Sequence, residues 1–63
     1  MPRVLARATN LRASRARDSE VIAKLASGEA FELLDVTGDD GWGIATAHGL
    51  VGYVDATLLE STQ

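Results

Sequence analysis

Apolar and polar residues alternate in short runs along the second two-thirds of the chain, and glycines separate these runs. The clearest run is 31–36, in which Phe31 and Leu33 share one face while Leu34 and Val36 share the other. This pattern predicts a strand that bends or is covered on both sides, as happens in a small closed barrel.

Turn-forming residues follow this strand. Residues 37–41 read Thr-Gly-Asp-Asp-Gly, which favours a turn because Gly accepts positive φ and Asp bonds its own backbone. A further strand begins at Trp42, which shares a face with Ile44. The pair His48-Gly49 then predicts a tight hairpin turn.

The last part of the chain predicts one more strand and a short helical turn. Residues 50–55 read Leu-Val-Gly-Tyr-Val-Asp, again with apolar and polar positions mixed. Asp55 is placed to cap a helical turn that reaches Leu58 and Leu59, since its carboxylate can accept free backbone N–H groups.

The segment 18–28 is open to two interpretations. As a helix, it has a possible cap at Asp18 or Ser19 and a terminating Gly28. As a strand, it places these residues on one face: Val21, Ala23 and Leu25. So short a helix is marginal in isolation, and the pattern alone leaves both interpretations standing.

Composition excludes several function classes. A chain of 63 residues makes one small domain of marginal stability. It has no cysteine, so it has no disulfide and no thiol nucleophile, and its only histidine, His48, argues against the usual zinc sites and a Ser-His-Asp triad. No apolar run is long enough to span a membrane. We therefore expect a non-enzyme without cofactor, metal or membrane contact.

The net charge of −3 hides an uneven distribution. The first 17 residues contain five arginines and no acid, whereas the rest contains nine acids and one base, Lys24. Such a split can indicate a nucleic-acid-binding arm. It can equally indicate strands that meet and neutralise each other, and we favour this second interpretation in so small a chain.

Five short motifs follow one another in a recognisable order. They are Asn10-Leu11-Arg12-Ala13-Ser14, Val21-Ile22-Ala23-Lys24-Leu25, the run from Gly28 to Leu34, Gly41-Trp42 with Ile44, and Gly52-Tyr53-Val54, trailed by Leu58 and Leu59. In this order they resemble the bacterial SH3 domain family over about residues 6–59. The resemblance implies an all-β, small SH3-like barrel of about five strands, with a short 3-10 helical turn near the C-terminus. It also implies a strand at 21–25.

The resemblance divides the chain into three parts. Residues 1–5 are an N-terminal extension or a lead-in to the first strand, 6–59 form the barrel, and 60–63 form a polar tail or linker. One departure from the family pattern falls in the first long loop, where Arg15 and Ala16 stand in place of a common proline.

Within that family, the run from Gly28 to Tyr53 is most similar to the domain attached to NlpC-type cell-wall cysteine peptidases of proteobacteria. This implies a binding or targeting module with one of two partners, a peptidoglycan stem peptide or an attached cysteine-peptidase domain. The alternatives are a structural spacer and, third, weak nucleic-acid binding through the N-terminal arginines. The compartment stays open: cytoplasm if Met1 is the native start, cell envelope if the chain is a fragment of a secreted hydrolase.

The two aromatic residues near the turns are the first candidates for ligand contact. For Trp42 we favour core packing over a groove, because a large aromatic side chain dominates a small core. For Tyr53 we favour the groove, because Val54 alternates with it and is expected to face the core. Asp39 and Asp40 form an ordinary turn in our interpretation, yet they could contact a cationic group such as the amine of a diamino acid.

Arginines complete the candidate groove, which we expect between the loop 13–19, the turn 39–41 and the face that bears Tyr53. The candidate ligand-binding arginines are Arg15 and Arg17. The family resemblance implies a structural role for Arg12, whose guanidinium would pair with carboxylates or carbonyls of neighbouring strands. His48 is expected to be a solvated hairpin residue.

The expected core combines the inward positions of the predicted strands. It consists of Leu11, Val21, Leu25, Phe31, Leu33, Ile44, Val54 and Leu58, with Trp42 partly buried.

Overall fold

The fold is all-β, as predicted, in a computed structural model that describes residues 1–16 and 19–61. The described part of the chain has seven strands and one 3-10 turn in this order: β1 (Pro2–Leu5), β2 (Thr9–Arg12), β3 (Val21–Leu25), β4 (Ala30–Thr37), β5 (Asp40–Ala45), β6 (Leu50–Asp55), the 3-10 turn (Ala56–Leu58) and β7 (Leu59–Ser61). The architecture is that of a small SH3-like β domain.

The seven strands form a single antiparallel sheet in the order β3-β2-β6-β5-β4-β1-β7. The strand count exceeds the predicted five or so because two short segments, β1 and β7, pair with each other and β1 also pairs with β4. Neither segment has an alternation long enough to be recognised from sequence.

The segment with two interpretations is a strand. β3 pairs with β2, with Thr9 opposite Leu25, and the register shifts by one residue before Arg12 meets Val21. That bulge turns Val21 out of the core, so it is 45% exposed and its predicted core role is wrong. A bulge breaks the period of two on which the prediction depended.

A second bulge shapes β4. The register passes from Leu33 opposite Gly43 to Asp35 opposite Trp42, which leaves Leu34 as the extra residue. The strand therefore bends, as predicted, but it is covered on one face only, because Leu34 is 49% exposed and Val36 is exposed as well.

Within residues 1–16 and 19–61, the core contains seven buried apolar residues: Leu5, Leu11, Leu25, Phe31, Leu33, Ala45 and Val54. Five of these were predicted, whereas Leu5 and Ala45 were missed. Leu58 packs against the core from a partly buried position, and Ile44 is only partly buried. A short lead-in strand gives no signal for Leu5, and Ala45 carries too little apolar surface to be distinguished from a surface alanine.

The inner face of β5 is built from small residues. Gly41, Gly43 and Ala45 are buried, whereas Trp42 between the two glycines is 37% exposed. Trp42 and Ile44 do share a face, as predicted, but that face is the outer one, so the favoured core packing of Trp42 is wrong. The cause is close approach: a Cβ on Gly43 would overlap the Glu32 carbonyl oxygen and lie 2.9 Å from the Phe31 ring.

The turns lie where the glycines predicted them. β4 and β5 are joined by the two-residue loop Gly38-Asp39, with Gly38 at φ 59°, and the β5–β6 connection contains Gly49 at φ 66°. Both positions need a residue that tolerates positive φ. Asp55 caps the 3-10 turn by accepting a hydrogen bond from the Thr57 backbone N–H at 3.0 Å, which confirms the predicted cap.

Candidate binding face

One row of outward side chains crosses four neighbouring strands of the sheet. Arg12 on β2 lies opposite Tyr53 on β6, Tyr53 lies opposite Trp42 on β5, and Trp42 lies opposite Asp35 on β4. Directly opposed residues of antiparallel strands point to the same face. The register therefore places an arginine, two aromatic residues and an aspartate in one line across the sheet, which we call the outer row. The Arg12 guanidinium itself reaches across β6 to Asp40.

A second pair of apolar residues lies beside the two aromatic rings. Ile44 on β5 is opposite Val51 on β6, one outward position further along the same hairpin. We call Trp42, Tyr53, Ile44 and Val51 the outer patch. Val51 is 47% exposed, while Ile44 and Tyr53 are half-buried, so the patch is a shallow apolar surface in contact with water.

Two arginines hold one carboxylate at the end of the outer patch. The Arg12 guanidinium donates to Asp40 Oδ1 at 3.2 Å, and Arg15 Nε donates to Asp40 Oδ2 at 3.2 Å. Arg12 and Asp40 are both less than a quarter exposed, which confirms the predicted structural pairing of Arg12 with a carboxylate. The basic first part of the chain and the acidic second part thus meet in this ion-pair cluster.

Asp40 also lies directly opposite another carboxylate, Asp55. Opposed like charges destabilise a strand pair, and hydrogen bonds relieve this at Asp55. The Thr57 hydroxyl donates to Asp55 Oδ1 at 2.8 Å. Hydrogen bonds from this hydroxyl and from the Thr57 backbone N–H lower the pKa of Asp55, and the positive charges of Arg12 and Arg7 lower it further.

The structure brings together two pairs of the residues singled out from sequence. Tyr53 and Trp42 are cross-strand neighbours on the outer face, and Arg15 is bonded to Asp40. Asp39 occupies the β4–β5 loop, where its carbonyl oxygen accepts the Ala56 backbone N–H at 2.9 Å. Arg17 lies outside the described residues, as does part of the loop 13–19.

Three members of this surface were not singled out as ligand contacts: Asp35, Ile44 and Val51. Each is placed beside the aromatic rings by strand register alone. The alternation of apolar residues on β5 and β6 could have found Ile44 and Val51 once the glycines were recognised as the inner face. Asp35 lies opposite Trp42 because of the bulge in β4. No residue pattern in the sequence indicates that bulge.

A side-chain hydrogen bond joins two turns at the opposite end of the hairpin. His48 Nε2 lies 2.8 Å from Glu29 Oε1, and the Ala26 backbone N–H donates to Glu29 Oε2 at 2.6 Å. The Ala26 hydrogen bond lowers the pKa of Glu29, and the hydrogen bond and charge of His48 add to this. His48 lies exposed in the hairpin turn, as expected, and it also contacts the neighbouring turn through Glu29.

This surface can bind a ligand through apolar and charged contacts. Among residues 1–16 and 19–61 there is no enclosed pocket and no group of three side chains suited to hold a metal ion. The same ranges contain no helix long and apolar enough to cross a membrane. What the outer face offers is a shallow apolar patch with charged side chains at both ends.

A small antiparallel domain with such a face has the architecture of an SH3-like module. The family model for the bacterial SH3 domain matches residues 7–60. The chain therefore belongs to the bacterial SH3 domain family. No curated protein and no solved structure shows significant similarity to it.

Proposed function

We propose that this domain is a non-catalytic binding module that recognises peptidoglycan stem peptide for an attached NlpC-type cysteine peptidase, or shapes the substrate cleft of that enzyme. The observation that carries the proposal is the outer patch. Its two aromatic rings lie side by side on neighbouring strands, and Trp42 keeps 37% of its surface in contact with water.

Aromatic side chains on a sheet surface are suited to hold a short peptide. They bring large contact area with little rotamer freedom to lose. On the inner side of the same hairpin, Gly41 and Gly43 bring neighbouring elements so close that the rings have no room there. The outward rings are thus rigidly supported by the backbone beneath them, which favours binding.

Charges at the rim suit a ligand with both an amine and a carboxylate, as a stem peptide with a diamino acid has. Both oxygens of Asp40 already accept hydrogen bonds from arginines. Asp35 and Asp39 form no ion pair with any residue that the structure describes, so they are the carboxylates available to an amine. Arg15, half exposed beside Asp40, is the cation available to a ligand carboxylate.

Titration of the labelled domain with purified stem peptides, followed by amide shifts in NMR, tests the proposal. Shifts are expected around Trp42, Tyr53 and Asp35, and Tyr53→Ala should weaken binding about tenfold as an aromatic contact is lost. Val51→Ala should weaken binding measurably, while Val36→Ala should not, because Val36 is equally exposed but lies off the outer patch. Absence of any shift at millimolar peptide would contradict the proposal.

A spacer role is the second candidate, and the flatness of the outer patch favours it. A shallow apolar face without a pocket can pack on another domain as well as on a peptide. Tyr53→Ala in the full-length enzyme separates the two. Unchanged kcat/KM on stem peptides with lower thermal stability is expected of a spacer, whereas a fall in kcat/KM is expected of a ligand-binding face.

A further inference from the structure

We infer that Arg15 makes the binding face selective for the free C-terminal carboxylate of its peptide ligand, and thereby sets the direction in which the peptide lies. This inference rests on the proposed function and deepens it. It names the group of the ligand that is recognised at the charged end of the outer patch, and the orientation that follows from it.

The guanidinium of Arg15 is held in place at this end of the patch. Its Nε atom donates to Asp40 Oδ2 at 3.2 Å, while the other oxygen of that carboxylate accepts a hydrogen bond from Arg12. Its Nη2 atom lies over the β4–β5 turn, 3.6 Å from the position that a Cβ on Gly38 would take. The first residue of β5 and the turn before it thus position the guanidinium, with Asp40 as the positioning residue.

This arrangement leaves the terminal edge of the guanidinium open to a ligand. The Arg15 side chain is 51% exposed, against 23% for Arg12. The two terminal nitrogens of Arg15 donate to no residue that the structure describes. Such an edge binds a carboxylate through two parallel N–H···O bonds. A C-terminal amide has one acceptor oxygen and no charge, so it is the poorer partner.

The loop that carries Arg15 is braced by its own hydrogen bonds. The Ala13 backbone N–H donates to the Glu20 carbonyl oxygen at 2.9 Å. The Ser14 hydroxyl accepts a hydrogen bond from the Ala16 backbone N–H at 3.3 Å. These contacts restrict the backbone on both sides of Arg15, so less freedom is lost when an anion binds.

Charge at this end of the patch favours an anion. Arg12 and Arg15 share the single carboxylate of Asp40, so these three side chains have one positive charge in excess. Asp55 lies opposite Asp40 and within the electrostatic reach of Arg7. The three cations therefore outnumber the two carboxylates, and a ligand carboxylate would balance them.

The position of this site relative to the outer patch sets the direction of the peptide. Asp40 lies one outward position before Trp42 on β5, and Ile44 lies one outward position beyond it. A peptide whose C-terminal carboxylate is bound by Arg15 crosses the two aromatic rings next. Its N-terminal part then lies over Ile44 and Val51.

Titration with two synthetic stem peptides tests the selectivity. The peptides are identical except that one ends in a free carboxylate and the other in a C-terminal amide. The wild-type domain should bind the free acid about fivefold more tightly at low salt, and this ratio should fall as salt is added. Arg15→Gln should reduce the ratio to about one. Arg15→Lys should keep part of it, because it keeps the charge but not the planar fork.

Two further variants separate this contact from general charge effects. Arg3→Gln removes the same charge on β1, which β4 separates from the outer patch, and should keep the wild-type ratio. Asp39 lies in the turn beneath Arg15 and forms no ion pair with any described residue. Asp39→Asn should raise the ratio, because it removes a repulsive charge. Thermal unfolding verifies that every variant is folded.

A paramagnetic label on the N-terminus of the free-acid peptide tests the direction. It should broaden the backbone amide signals of Ile44 and Val51 more strongly than those of Gly38 and Asp40. The reverse pattern would overturn the proposed orientation.

The results distinguish failure of this inference from failure of the proposed function. Equal affinity for the acid and the amide would overturn the inference and leave the proposed function standing, and so would equal ratios for Arg15→Gln and Arg3→Gln. Absence of binding by both peptides at millimolar concentration would contradict the proposed function and this inference with it.

Discussion

The two faces of the β5–β6 hairpin carry side chains of different size. Its inner face carries Gly41, Gly43, Gly52 and Ala45, with Val54 as the one larger buried residue. Its outer face carries the four residues of the outer patch, including the only tryptophan and the only tyrosine. The larger side chains of this hairpin thus lie on its more solvent-exposed face.

Close packing of the backbone explains this inversion. A Cβ on Gly52 would lie 2.7 Å from the Arg12 carbonyl oxygen, and one on Gly41 would lie 3.1 Å from Leu33 Cδ1. Large side chains from other strands, such as Phe31 and Leu11, fill the space above these glycines. In a small domain, the size of a side chain is therefore weaker evidence for burial than the size of its neighbours in the same strand.

Among substitutions on the inner face, Gly43→Ala is expected to lower the free energy of unfolding most. The added methyl group would overlap the Glu32 carbonyl oxygen, which is part of the backbone and cannot move aside without separating β4 from β5. We expect a loss of about 3 kcal/mol or more in the free energy of unfolding, enough to unfold much of the population of so small a domain. Far-UV circular dichroism and urea unfolding measure it.

Gly49→Ala is the matched control for that variant. No atom outside the adjacent residues lies within 4 Å of the added methyl group, but φ is 66°. The cost is then only that of a left-handed backbone, about 1 kcal/mol. A Gly43→Ala protein as stable as Gly49→Ala would show that β4 and β5 are not packed as closely as described.

Two valines of β6 compare the faces directly. Val54 is fully buried and Val51 is 47% exposed. Val54→Ala should cost about 2 kcal/mol, since it removes buried methyl groups and leaves a cavity. Val51→Ala should change stability by no more than about 0.5 kcal/mol. Equal losses in urea unfolding would contradict the assignment of the two faces.

The sequence alone was sufficient for the features with a local cause. The turn at Gly38, the hairpin at Gly49 and the cap at Asp55 follow from what Gly and Asp do to nearby backbone. The alternation of Tyr53 with Val54 gave the correct outward direction for the tyrosine ring.

Features that depend on partners across the sheet could not be predicted in this way. The bulge that exposes Val21 is set by its register with β2, and the outward position of Trp42 is set by residues of β4 that pack over Gly43. The resemblance supplied the strand 21–25, which the local pattern left undecided. The residues of the outer row are brought into line only by strand register, so their order could not be predicted before the strand pairing was known.

The ion-pair cluster gives a smaller effect at the end of the outer face. Asp40→Ala leaves Arg12, which is largely covered by protein, without its carboxylate partner. We expect a loss of about 1 kcal/mol, reduced at high salt. Asp39→Ala is the control, because the Asp39 contact with Ala56 uses the backbone carbonyl. Equal losses for both variants in thermal unfolding would contradict a role for the Asp40 ion pairs.

The smallest effect concerns the cap that ends the hairpin. The pKa of Asp55 is lowered in the folded domain by hydrogen bonds from Thr57 and by nearby arginines, so the folded state binds a proton less readily than the unfolded chain. This contribution to stability is complete above the ordinary Asp pKa and disappears as pH falls through the lowered folded pKa. Asp55→Asn keeps an oxygen for the Thr57 N–H but removes the charge.

We therefore expect Asp55→Asn to be less stable than wild type at neutral pH and to approach it in acid. Urea unfolding over a pH series from neutral to strongly acidic measures both curves. Thr57→Val, which removes only the hydroxyl hydrogen bond to Asp55, should give an intermediate slope. Parallel curves for Asp55→Asn and wild type would mean that the Asp55 charge does not stabilise the cap.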